Sequence, residues 1–131
     1  MKILVTIERA KDGSYWCQTE KSILGGYLTA TGSTVQEAKE DLAECLAEAK
    51  ENLEAEGKVF PDVEFTYKYD LQSFFNYFSF LNITDIAKRS GVNPSLMRQY
   101  ASGVKNAGER TYKRLSTCVQ SIGRELEAAS F

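Results

Sequence analysis

Histidine is absent from this 131-residue chain, and proline occurs only twice. Without an imidazole there is no Ser-His-Asp or Cys-His relay, no histidine metal ligand and no side chain whose ordinary titration falls near neutral pH. Cysteine is also sparse. Cys17, Cys45 and Cys118 are far apart, odd in number and never spaced as C-x-x-C, a pattern that suggests neither a disulfide framework nor a zinc site and leaves free, mostly buried thiols. No run of about 18 apolar residues occurs. The opening MKILVTIERA reaches Glu8 and Arg9 too soon for a secretory leader, so the expectation is a cytoplasmic protein with no membrane partner. P-loop, G-x-G-x-x-G and H-E-x-x-H patterns are missing as well, and no enzyme activity, cofactor or metal is expected.

What is present is an ordinary globular composition, 43% hydrophobic and 26% charged, with charge of opposite sign in the two halves. Residues 1–81 carry 8 Lys/Arg against 14 Asp/Glu, a net of −6, whereas residues 82–131 carry 8 against 4, a net of +4. The overall −2 conceals this. A basic segment joined to an acidic one points to nucleic-acid binding by the basic part.

The acidic half reads as a small α+β unit. In KILVTIER, Ile3, Val5 and Ile7 recur with the two-residue period of a strand. Asp12-Gly13 marks a turn into a second strand, SYWCQT, and GYLTAT supplies a third, closed by Gly32. Thr34 followed by Glu37 predicts a capping box, the carboxylate reaching back to the cap's own N–H. The helix begun there carries Val35, Ala38, Leu42, Leu46, Ala49 and Leu53 as one apolar stripe to lie on the sheet, and Gly57 ends it. VEFTYKY alternates again, with Val63, Phe65, Tyr67 and Tyr69 on one side, and predicts a fourth strand. The expected fold is therefore α+β, an antiparallel-type β-β-β-α-β domain over residues 1–69. DLQSFFNYFSFLN then predicts a connecting aromatic helix over 70–81, with Leu71, Phe74, Phe75, Phe78 and Leu81 on one face between the two halves.

Residues 82–131 predict an all-helical helix-turn-helix domain. In ITDIAKRSGVNPSLMRQYASG, Thr84 or Asn82 caps a short helix, Ile86 faces inward, and Ala87 allows close approach of the next helix. Gly91 suits a sharp left-handed turn, Val92 plugs between helices, Asn93 caps, and Pro94 takes the first helical position. Met97 and Tyr100 should point inward, leaving Asn93, Ser95, Arg98, Gln99 and Ser102 outward to contact base edges in a major groove. Lys88, Arg89, Lys105, Arg110, Lys113 and Arg114 are candidates to neutralise flanking phosphates. A last amphipathic helix carries Tyr112, Leu115, Val119, Ile122 and Leu126, and a module this small is expected to work as a homodimer or a higher symmetric oligomer on double-stranded operator DNA.

The strand order and the stretch GSTVQEA resemble HicB-type antitoxins, whose G-x-T-x-x-E-A pattern falls here on Gly32, Thr34, Glu37 and Ala38. Residues 82–131 resemble the lambda-repressor-like (XRE) helix-turn-helix class. Together the resemblances imply a degenerate ribonuclease-H-like N-terminal domain that binds a HicA-type, RNA-cleaving toxin, and a C-terminal domain that represses its own operon. Many family members have a Pro-Asp-x-Pro-Gly-type loop between the second and third strands, whereas TEKSILGGY contains no proline. The alternative is a stand-alone regulator whose first domain oligomerises or senses a ligand. An active nuclease using Glu8, Asp12 and Glu37 with magnesium is disfavoured, because Glu37 is explained as a cap and no acidic pair is spaced along one strand.

Overall fold

The structure, a computed structural model, describes residues 1–131. It is mixed α+β, with one four-stranded sheet and five helices, and divides into two compact units, Met1–Tyr77 and Phe78–Phe131.

In the first unit, β1 (Lys2–Arg9), β2 (Tyr15–Thr19) and β3 (Thr29–Gly32) precede α1 (Val35–Ala55), β4 (Glu64–Tyr69) and α2 (Leu71–Tyr77). The sheet order is β3-β2-β1-β4. The first three strands form the anticipated antiparallel meander, with Ile7 opposite Cys17 and Cys17 opposite Ala30. The fourth departs from the antiparallel-type expectation. β4 runs parallel to β1, Ile3 opposite Phe65 and Ile7 opposite Tyr69, because α1 carries the chain back across one sheet face, as a crossover between parallel neighbours requires.

Strand alternation sends Val5, Ile7, Tyr15, Cys17 and Ala30 to the face under α1, where Val35, Ala38 and Leu42 meet them in one core, and buries Ile3 as well. The apolar stripe of α1 is buried only in its first half, since Leu46, Ala49 and Leu53 continue along the helix but are half-exposed. Thr34 caps α1 by accepting from the Glu37 N–H at 3.1 Å. The reciprocal bond falls one residue earlier than a capping box predicts: Glu37 accepts from the Ser33 N–H at 2.9 Å and from the Ser33 hydroxyl, which together lower its carboxyl pKa.

The aromatic segment also differs from its expected form. α2 ends at Tyr77, and Leu71, Phe74 and Phe75 are buried within the first unit. Phe78 and Leu81 lie beyond the helix, in a turn closed by the Leu81 N–H on the Phe78 carbonyl at 3.0 Å. Asp70 explains where α2 starts, for its carboxylate accepts from the Ser73 N–H at 2.8 Å and from the Arg9 N–H at 2.9 Å, fixing the helix to the end of β1. Asn76 then accepts from the Val35 N–H at 3.0 Å, satisfying one unpaired donor of the first turn of α1.

Sequence periodicity does not reveal Lys39. Its ammonium lies 3.4 Å from the Tyr77 ring centre, 4.0 Å from that of Tyr67 and 5.2 Å from that of Tyr69, and donates to the Tyr69 hydroxyl at 2.7 Å. Burial pulls its pKa down to about 8. The ring faces attract the cation, so this one side chain ties α1, β4 and α2 together.

Candidate nucleic-acid interface

The second unit is built from α3 (Ile83–Ser90), α4 (Pro94–Ser102) and α5 (Glu109–Ala128). Asn82, rather than Thr84, caps α3, accepting from the Asp85 N–H at 3.0 Å. Gly91 ends that helix in the left-handed region at φ 76°, and the Val92 N–H folds back to the Ala87 carbonyl at 2.9 Å. This geometry turns the chain within three residues. Asn93 caps α4 by accepting from the Leu96 N–H at 3.1 Å, and Pro94 follows at the start of the helix, where its missing N–H costs nothing. Ile86, Ala87, Val92, Met97, Leu115 and Cys118 are buried, Met97 completely. They are what holds the three helices together.

Burying Met97 dictates what faces outward. Ser95, Arg98 and Ser102, at spacings of three and four, share the opposite side of α4 and are exposed, with Asn93 at the leading end. Arg98 is oriented as well as exposed, since its Nη1 donates to Thr84 Oγ1 at 3.0 Å and braces α4 against α3. Ser102 donates its hydroxyl to the Gln99 carbonyl at 3.2 Å.

Gln99 does not join this set. It is half-buried, and its Oε1 is shielded from solvent with no hydrogen-bond partner. After Gly103 the chain folds back on the end of α4, and the Val104 and Lys105 N–H groups both donate to the Gln99 carbonyl. Helical spacing alone does not disclose that Gln99 is half-buried.

The expected phosphate contacts divide into two groups. Lys88, Lys105 and Arg110 are exposed without an intramolecular partner. Arg89 pairs with Glu125 of α5, Lys113 lies 3.6 Å from Glu109, and Arg114 donates to the Gly91 carbonyl at 3.0 Å. Arg89 and Lys113 are exposed pairs of small worth that solvent or a phosphate can displace. Arg114 holds the turn itself, a structural task for a side chain read from sequence as a phosphate ligand.

Of the residues weighed for nuclease chemistry, Asp12 accepts from the Ser14 N–H and hydroxyl in the β1–β2 turn, and Glu37 is held by Ser33. No cluster of three or more histidine, cysteine or carboxylate side chains is placed to hold a metal ion. No helix is long and apolar enough to cross a membrane. No family model matches the chain, and comparison with curated proteins and with solved structures finds no match.

Proposed function

We propose that the protein is a regulator that binds double-stranded operator DNA through α4, and that its acidic first unit captures a small basic toxin of the HicA type, as in an antitoxin that represses its own operon. One observation carries this reading: a glycine-turned helix pair presents Ser95, Arg98 and Ser102 on one exposed face within the unit whose net charge is +4. A guanidinium on such a helix can take both acceptors of a guanine edge, and the hydroxyls accept or donate as the base requires. Lys88, Lys105 and Arg110 supply position and affinity through phosphates.

Dimerisation is supported by α5. Its apolar stripe is buried at Leu115, half-exposed at Val119 and Ile122, and 67% exposed at Leu126, leaving its far end available to a twin. A two-fold dimer would place two copies of α4 on half-sites about one turn of DNA, roughly 34 Å, apart.

Titration of the upstream promoter duplex against a scrambled duplex tests the DNA claim. Arg98→Ala should cost about 1–3 kcal/mol of discrimination, whereas Lys105→Ala should weaken both duplexes alike and reduce the salt slope by about one. Equal affinity of the parent protein for both duplexes would refute sequence-specific binding. Co-expression with the neighbouring reading frame tests the first unit: a stable complex and growth rescue support the antitoxin reading, and their absence favours a stand-alone regulator.

A further inference from the structure

The sheet has a second face, turned away from α1. Alternation places Thr6 and Glu8 of β1 beside Gln18 and Trp16 of β2, Glu8 directly opposite Trp16 and Thr6 opposite Gln18. Glu20 extends this row, its N–H donating to the Leu4 carbonyl at 2.9 Å and its carboxylate accepting from the Thr6 hydroxyl. Tyr27, from the loop before β3, closes the side, and these residues line a cavity of about 270 Å³. That is below the range of ~300–1,000 Å³ usual for small-molecule sites and suits one side chain better.

Several features distinguish this pocket from an ordinary wet sheet surface. Trp16 is 44% exposed and Tyr27 63% exposed, a large aromatic area to leave in water. The indole is pinned by its own polar edge: Nε1–H donates to Ser14 Oγ at 2.9 Å, and Ser14 Oγ donates to Asp12 at 2.6 Å. The ring is thus oriented before anything arrives. Glu8 has no intramolecular partner, although it faces the indole across the strand pair.

Aromatic faces beside an uncommitted carboxylate are the complement of a planar cation. We propose that this pocket receives an arginine side chain of a partner protein, the guanidinium stacking on Trp16 and pairing with Glu8 and Glu20. Arginine fits better than lysine because its flat fork can stack and pair at once. The occupant comes from outside this unit, whose single arginine, Arg9, donates to Gln72 Oε1 at 3.0 Å instead. The unit's −6 charge favours a basic partner, and Glu8 and Glu20 are the carboxylates that line this pocket. The proposal rests on the reading of the first unit as a protein-binding module and specifies where it binds.

Trp16 is the only tryptophan, so its indole N–H gives one resonance that reports directly on the pocket. The full chain is titrated with a capped Gly-Arg-Gly peptide and with its Gly-Lys-Gly counterpart. A saturable shift is expected with the arginine peptide, roughly fivefold weaker with lysine and roughly fivefold weaker after Glu8→Gln or Glu20→Gln. No saturable shift, or equal titration of the variants, overturns the pocket. A peptide-free shift that depends on protein concentration gives the pocket to a second copy of the chain and also overturns it. Co-purification with the neighbouring gene's product separates the two layers: a complex that persists undiminished in Glu8→Gln and Glu20→Gln defeats the pocket and leaves the protein-binding reading standing. Loss of both partner capture and peptide titration in the parent defeats both.

Discussion

Two glycine-to-alanine substitutions within the second unit should change its stability in opposite directions, although each adds the same methyl group to an exposed position. Gly91 has φ 76°, and a Cβ built there meets nothing within 4 Å. The whole penalty of Gly91→Ala is therefore conformational, about 1–2 kcal/mol for a left-handed alanine. It is offset by ~0.4–1 kcal/mol because the unfolded chain loses freedom too. The net is a destabilisation of about 1 kcal/mol, roughly a fivefold shift toward unfolding. Gly123 lies inside α5 with no positive φ, and its added Cβ also meets nothing within 4 Å. Gly123→Ala should therefore stabilise by ~0.5–1 kcal/mol. At the general ~0.05–0.15 kcal/mol per residue, a unit of this length has about 3–8 kcal/mol in all, so both changes are measurable. Amide hydrogen exchange at Met97 and Leu115 reads the second unit, and Trp16 fluorescence serves as an internal control for the first. If both variants move protection in the same direction, or if Gly91→Ala costs more than about 3 kcal/mol, the backbone explanation is wrong.

Gly32→Ala should destabilise the first unit by steric conflict instead, since its Cβ would stand 2.6 Å from the Ala38 nitrogen and 2.8 Å from the Glu37 carbonyl carbon. About 1–3 kcal/mol is expected from urea unfolding followed at Trp16, and an unchanged midpoint would refute it. Thr84→Val removes the acceptor that orients Arg98; it should weaken operator discrimination less than Arg98→Ala does, because the guanidinium is retained, and a loss equal to that of Arg98→Ala would count against a mere orienting role. Stability at alkaline pH should separate Lys39 from Cys17. Burial pulls Lys39 from 10.5 down to about 8, so between those values the unfolded chain binds the extra proton and this contribution to stability rises with pH. Burial pushes the Cys17 thiol from 9.0 up to about 11, and there the folded chain keeps the proton, so that contribution falls. Lys39→Met should consequently lose stability with pH more steeply than the parent between pH 9.0 and 10.5, and parallel profiles in urea titrations would refute the linkage.

Local chemistry settled much of this protein in advance. Two-residue alternation placed β1 and β2, Thr34 and Gly91 marked where a helix starts and where one stops, and Asn93-Pro94 opened α4, because caps, turns and periodicities depend on neighbours along the chain. The same spacing put Ser95, Arg98 and Ser102 on one exposed face. Tertiary structure decided the rest, and for a common reason: each of those outcomes depends on residues distant in sequence or on a change in chain direction. The parallel pairing of β4 follows from the path of α1 over the sheet, and α2 stops at Tyr77 with Leu71, Phe74 and Phe75 buried in the first unit. Gln99 was left half-buried with a shielded Oε1, and Arg114 was committed to the Gly91 carbonyl. Lys39 met three tyrosines from two other elements, and Trp16 found Glu8 across a strand pair and Tyr27 across a loop. Side-chain type and spacing decide which way a residue faces on its own element, but only the packed chain decides what stands opposite it.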